Sequence, residues 1–293
     1  MDQTLPADIP ALSNLLRTEG YLADRGLTTA AFIAITLGRP LLLEGEVGVG
    51  KTELAKTLAA VFDRRLIRLQ CYEGIDTNQA LYEWDYARQM LHIRALSEHQ
   101  LTDGDSVDAL FGDKFLLERP LLEAVREGDG CVLLIDEVDR ADDEFEAFLL
   151  ELLSDFQVTI PEVGTIQATS RPLVVLTSNR TRELHDALKR RCLYHWIDYP
   201  SAELEEEIVH SRIPDVPATL AAKTVAAVQR LRGLDLVKPP GVAETIDWVE
   251  ALQAISASEL DEETLMVSLG SVIKDRDDLD LVQRRAGSIV GGN

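Results

Sequence analysis

Leu41-Leu42-Leu43-Glu44-Gly45-Glu46-Val47-Gly48-Val49-Gly50-Lys51-Thr52 decides how the rest of the chain is read. The opening leucines form a short apolar run closed by a glycine-rich turn, the pattern of a buried strand. From Gly45 to Thr52 the residues fit G-x-x-x-x-G-K-[ST] at every defined position. Glycines in such a loop let backbone N–H groups curl around phosphate oxygens, and a helix begun at Lys51 adds the positive end of its dipole. Lys51 is then expected to reach the β- and γ-phosphates of a nucleotide, and the Thr52 hydroxyl to coordinate Mg²⁺. The supporting context is present as well: an apolar strand precedes the loop, and residues 53–62 read as an amphipathic helix. Gly45, Glu46, Val47, Gly48, Val49, Gly50, Lys51 and Thr52 are the predicted nucleotide-binding residues.

Working outward, four more apolar runs follow at residues 66–69, 132–135, 173–176 and 193–199, separated by helical patterns at 53–62, 121–126 and 145–156. Five strands alternating with helices predict a parallel sheet covered on both faces. Residues 1–38 read as a helical lead-in broken at Gly38-Arg39-Pro40. After Pro200 the pattern becomes wholly helical, at 202–211, 218–231, 242–255 and 259–271. The expected division is therefore an α/β domain over 1–200 and a smaller helical domain over 201–293. Beyond Asp275 the tail is charged and ends in Gly-Gly-Asn, and it is expected to fray. The stretch between Lys51 and Asp136 is longer than one strand and one helix require. The excess, residues 79–114, contains the alternation Met90-Leu91-His92-Ile93-Arg94, read as a hairpin inserted into a helix. Residues 156–166 read as a second hairpin.

Cys131-Val132-Leu133-Leu134-Ile135-Asp136-Glu137 puts two carboxylates at the carboxyl end of a buried strand, the edge where ligands sit in open α/β sheets. Asp136 suits the Mg²⁺ shell, and Glu137 the base that polarises an attacking water, a pairing that favours hydrolysis over transfer to a substrate hydroxyl. Asn179, after Thr177-Ser178, can hold the same water or the γ-phosphate through its amide; the alternative is a plain turn residue. Arg190 and Arg191 end a short helix. They read equally well as a guanidinium reaching a neighbouring subunit's nucleotide and as a solvated basic cluster favoured by the helix dipole.

The chain has 293 residues, 46% of them hydrophobic, enough for one or two cores. Acidic residues number 51 against 29 basic, for a net charge of −22, which disfavours a nucleic-acid grip spread over the surface. No apolar stretch approaches the about 18 residues of a membrane span, and the N-terminus lacks a signal-peptide pattern. Cys71, Cys131 and Cys192 are too scattered for a metal motif or disulfide framework. His92 and His99, seven positions apart with no third ligand, read as ordinary histidines. A cytoplasmic protein is expected.

The phosphate loop, Asp136-Glu137-Val138-Asp139-Arg140, Thr177-Ser178-Asn179 and Lys189-Arg190-Arg191-Cys192 together resemble the AAA+ ATPases, and within them the MoxR family. Cys71-Tyr72-Glu73-Gly74 and Trp196-Ile197-Asp198-Tyr199-Pro200 look most like the accessory ATPases of carbon monoxide dehydrogenase maturation. The resemblance implies a P-loop NTPase fold with a five-stranded parallel sheet flanked by helices and an all-helical lid. It implies Mg²⁺-dependent ATP hydrolysis, with Asn179 at the sensor-1 position and Arg190 or Arg191 as the arginine finger. It further implies a homo-oligomeric ring, commonly a hexamer, a partner carrying a von Willebrand factor A domain, and a client protein, with a metalloenzyme as the expected class. Insertions such as the two hairpins face the pore of the ring in related ATPases. The work implied is remodelling or activation of that client; the alternative is an ATP-gated binding switch with little steady turnover. One feature departs from the family: Pro240-Gly241-Val242-Ala243-Glu244-Thr245, at the start of a lid helix, lacks the usual sensor-2 arginine.

Overall fold

A computed structural model of the protein describes residues 5–98 and 111–291. Two helices come first, α1 (Ile9–Thr18) and α2 (Arg25–Leu37). The Asp8 and Asp24 side chains accept from the backbone N–H groups of Ala11 and Leu27, so each helix starts on a carboxylate cap. Then follow β1 (Leu41–Gly45), α3 (Lys51–Val61), β2 (Arg65–Gln70), α4 (Thr77–Leu81), β3 (Tyr82–Trp84), α5 (Tyr86–Glu98) and β4 (Leu116–Glu118). Next come α6 (Pro120–Glu127), β5 (Cys131–Asp136), α7 (Asp143–Asp155), β6 (Gln157–Ile160), β7 (Gly164–Gln167), β8 (Leu173–Ser178), α8 (Asp186–Arg191) and β9 (Leu193–Ile197).

Five of these strands form one parallel sheet in the order β2-β5-β8-β1-β9. Strands β1, β5 and β8 are buried along their whole length, the physical reason for their unbroken apolar runs. Alternation within β5 divides two cores. Leu133 and Ile135 join Leu121, Leu122, Phe145 and Leu149 on one face of the sheet. Val132 and Leu134 join Leu12, Leu27, Leu54 and Leu58 on the other. The expected α/β fold with a five-stranded parallel sheet is the one observed.

Past Pro200 the described chain is helical: α9 (Ala202–Arg212), α10 (Ala218–Arg232), α11 (Val242–Ala254), α12 (Glu262–Val272), α13 (Arg276–Gln283) and α14 (Ala286–Gly291). These helices enclose a third core around Leu231, Trp248, Leu252, Leu265 and Leu269. Trp248 is fully buried, and its indole N–H donates to Ser268 Oγ at 2.8 Å. Glu205 is also fully buried, yet completely satisfied. It accepts from Arg232 through both terminal nitrogens at 2.7 Å, from Gln229 at 2.8 Å and from the Thr245 hydroxyl at 2.6 Å.

Two expectations fail. Residues 90–94 lie within α5, not in a hairpin. Five residues of alternation are too few to overrule a helical turn, and Asp85 caps this helix by accepting from the Arg88 N–H at 2.9 Å. The strands of the insertion are β3 and β4, paired antiparallel on either side of α5. The rest of that insertion, with His99, lies outside the described residues. Second, the tail beyond Asp275 forms α13 and α14, because Val282, Ala286 and Ile289 reach the third core. The second expected hairpin is present as β6 and β7.

Candidate nucleotide site

Strands β1, β5 and β8 end side by side, and their carboxyl ends open onto a cavity of about 770 Å³. Its lining includes Val47 to Glu53, Asp136, Glu137, Thr177 and Asn179. The phosphate loop closes around Lys51 in a way that depends on glycine. Gly48 and Gly50 hold φ of 78° and 92°, values a side chain rarely tolerates. A Cβ at Gly48 would also lie 3.1 Å from the Gly241 Cα.

Lys51 is only 6% exposed, and its Nζ donates to the carbonyls of Gly45 at 2.8 Å and Glu46 at 2.6 Å. Burial holds its pKa below the ordinary lysine value, against the pull of Asp139, Glu46, Asp136 and Glu137. Among the described residues no carboxylate forms an ion pair with it. A buried cation whose partners are all backbone carbonyls is a site that an anion stabilises.

Asp136, 3% exposed, is surrounded by donors. Its Oδ1 accepts from Thr52 Oγ1 at 2.9 Å and Thr177 Oγ1 at 2.6 Å, and its Oδ2 from Arg68 Nε at 3.0 Å and Nη2 at 2.6 Å. The Thr52 hydroxyl and the Asp136 carboxylate are adjacent hard oxygen donors, which suit Mg²⁺. Glu137 sits at φ 54°, unusual for a residue with a side chain, and its N–H donates to Thr177 Oγ1 at 2.9 Å. Its carboxylate meets Arg140 Nε at 3.3 Å.

Asn179 reaches the same cavity because Asp139 fixes its loop. Asp139 Oδ1 accepts from the Asn179 N–H at 3.2 Å, and Oδ2 from the N–H and hydroxyl of Thr181 at 2.8 and 2.7 Å. Arg190 and Arg191 do not line the cavity. Both lie exposed on α8, where the Arg191 guanidinium donates to Ser154 of α7. The Arg190 guanidinium makes no hydrogen bond or ion pair among the described residues.

Several contacts carried no readable signal in the sequence. Arg68 and Thr177 grip Asp136 from neighbouring strands, contacts that only the sheet order creates. Tyr21, before α2, lines the cavity and donates its hydroxyl to the Gly50 carbonyl at 3.2 Å. Burial, with Asp24 and Glu53 nearby, pushes its pKa up. At residues 240–245, which contain no arginine, the start of α11 meets the loop through its backbone: Val242 N–H donates to the Gly48 carbonyl at 2.9 Å. Arg212 of α9 also lines the cavity and binds Glu53 at 2.8 Å. Burial works to raise the Glu53 pKa, but the hydrogen bonds from Arg212 and Lys56 outweigh it and hold it low.

The fold has counterparts among known proteins. Over 230 residues the chain is 28% identical to the uncharacterized protein YojN of Bacillus subtilis (strain 168), covering 71% of this chain and 68% of the relative. It is 24% identical over 202 residues to the uncharacterized protein SH1500 of Staphylococcus haemolyticus (strain JCSC1435), covering 67% and 69%. Among solved structures, a proline-to-glycine mutant of Thermotoga maritima RuvB is similar in fold, with a TM-score of 0.51 at 17% identity over 99% of this chain and 82% of that one. Residues 40–192, more than half of the chain, match the family described as AAA domain (dynein-related subfamily), and the protein belongs to that family.

Proposed function

We propose that the protein is a Mg²⁺-dependent ATPase of the MoxR type, whose hydrolysis drives remodelling, maturation or activation of a partner protein. The observation that carries the ATPase reading is the convergence on one cavity of a buried cation held only by carbonyls, an oxygen-donor pair and a carboxylate: Lys51, Thr52 with Asp136, and Glu137. In this reading the loop from Gly45 to Thr52 binds the phosphates and Lys51 neutralises their charge. Mg²⁺, when bound with the nucleotide by Thr52 and Asp136, offsets charge on the β- and γ-phosphates. Glu137 takes the proton of the attacking water, and Asn179 orients that water.

Arg190 or Arg191 completes the site of a neighbouring subunit, since neither lines the cavity of its own chain. A homo-oligomeric ring follows, with a hexamer as the family's common form. The domain division is then residues 1–200 and a lid over 201–293, with the β6–β7 hairpin and the insertion around α5 available to a client. A von Willebrand factor A partner, a metalloenzyme client and a cytoplasmic location belong to the same proposal. Its support is the family resemblance, and no described helix is long and apolar enough to cross a membrane. Steady phosphate release with Mg²⁺ and ATP, abolished by a chelator, is the expected result. Tight ATP binding with Mg²⁺ but a single turnover per binding event would replace the remodelling ATPase with a nucleotide-gated binding switch.

A further inference from the structure

Helix α8 has six residues, too short to hold its shape unaided, and its last carbonyls have no partner within the helix. Side chains from distant parts of the chain fix both ends. At the start, fully buried Glu146 of α7 accepts from the His185 N–H at 2.9 Å and from the Arg182 guanidinium. At the finish, Nη2 of Arg39 faces the carbonyls of Arg190, Arg191 and Cys192 at 3.0, 3.2 and 3.3 Å. A guanidinium there both satisfies orphan acceptors and meets the negative end of the helix dipole. Arg39 comes from the break just before β1, where the Leu193 N–H also donates to the Pro40 carbonyl at 2.7 Å. Thus the strand that leads into the phosphate loop is tied at its far end to α8.

The basic run on α8 is asymmetric. Lys189 approaches Glu183 at 3.9 Å and Arg191 is held by Ser154, while the exposed guanidinium of Arg190 has neither a hydrogen bond nor an ion pair among the described residues. We propose that Arg39 is a positioning residue for Arg190, holding the end of α8 so that Arg190 projects toward a neighbouring subunit's nucleotide. This rests on the reading of Arg190 as a trans-acting finger. Arg39 does not line the cavity of its own chain, so its loss leaves that chain's nucleotide pocket whole and damages only what the subunit donates.

The test is turnover in assembled protein, with ATP affinity measured beside it. Arg39→Ala should lower turnover by up to about 10²-fold, the scale of a misplaced catalytic group, with ATP affinity unchanged. Arg39→Lys, which keeps a cation and an N–H donor, should recover part of the loss and also serves if the alanine variant does not fold. The decisive arm mixes Arg39→Ala subunits with Glu137→Gln subunits. The second kind supplies a well-placed Arg190 to the first kind's intact acid, so activity should return; a cap with a purely structural role predicts no return. Arg190→Ala mixed with Glu137→Gln runs in parallel. Rescue of Arg190→Ala without rescue of Arg39→Ala, in verified mixed assemblies, overturns the role of Arg39 alone. No rescue of either overturns the trans finger and the role of Arg39 with it. Normal turnover by Arg39→Ala also overturns the proposal.

Discussion

In the proposed mechanism Lys51 and Glu137 act on the same nucleotide at different stages, and single substitutions separate them. Lys51→Ala removes the buried cation of the phosphate loop and should abolish measurable ATP binding. Glu137→Gln keeps the side chain's size, but its amide cannot accept the proton of water. It should bind ATP normally while turnover falls by about 10²- to 10⁴-fold, the usual contribution of a general base. Equilibrium binding and phosphate release on both variants check this; normal turnover by Glu137→Gln would remove that residue from its role. A second prediction concerns the thiols. Burial pushes Cys71, Cys131 and Cys192 up to about 12, so almost none is thiolate at pH ~8. A thiol reagent should label the native protein very slowly and all three cysteines rapidly in denaturant; fast labelling of the native state would contradict the packing described. Residues of the phosphate loop and the Asp136-Glu137 pair were legible in the sequence because their chemistry demands fixed local spacing. The contacts of Arg68, Thr177, Tyr21 and Arg39 were not. Each residue acts through a partner that the sheet or a helix end brings close, and no local spacing encodes such a meeting.

At the scale of elements, a buried charge cluster ties α9, α10 and α11 together. Glu205 gathers Arg232, Gln229 and Thr245 from α10 and α11 onto α9. Glu205→Ala would leave the buried Arg232 guanidinium without its counter-ion, a change that costs about 3–5 kcal/mol. Urea unfolding should show a loss of that order; a loss below about 1 kcal/mol, the level of an exposed pair, would mean that Arg232 is solvated. Strands β1, β5 and β8 were readable because burial on both faces writes an unbroken apolar run. Helix α5 was not, since Met90, Leu91 and Ile93 stay exposed and blur the periodicity that marks a helix packed on a core. Helices α13 and α14 were hidden for a related reason. Charged residues surround the few apolar positions, Val282, Ala286 and Ile289, that reach the third core.

For the whole molecule, each chain carries an incomplete site in this reading. The cavity holds Lys51, Thr52, Asp136, Glu137 and Asn179, whereas Arg190 stands on α8, outside it and exposed. That arrangement was only half legible from the sequence. The basic run at 189–191 was visible, but its separation from the cavity and the tether of Arg191 to Ser154 required the fold. A site finished by a neighbour makes catalysis depend on assembly, which follows mass action. The most direct measurement is specific ATPase activity across a range of protein concentrations, with light scattering on the same samples with and without Mg²⁺ and ATP. Nucleotide should promote a larger assembly, and activity per subunit should rise with concentration as that assembly forms; a monomer with full activity at every concentration would contradict the account.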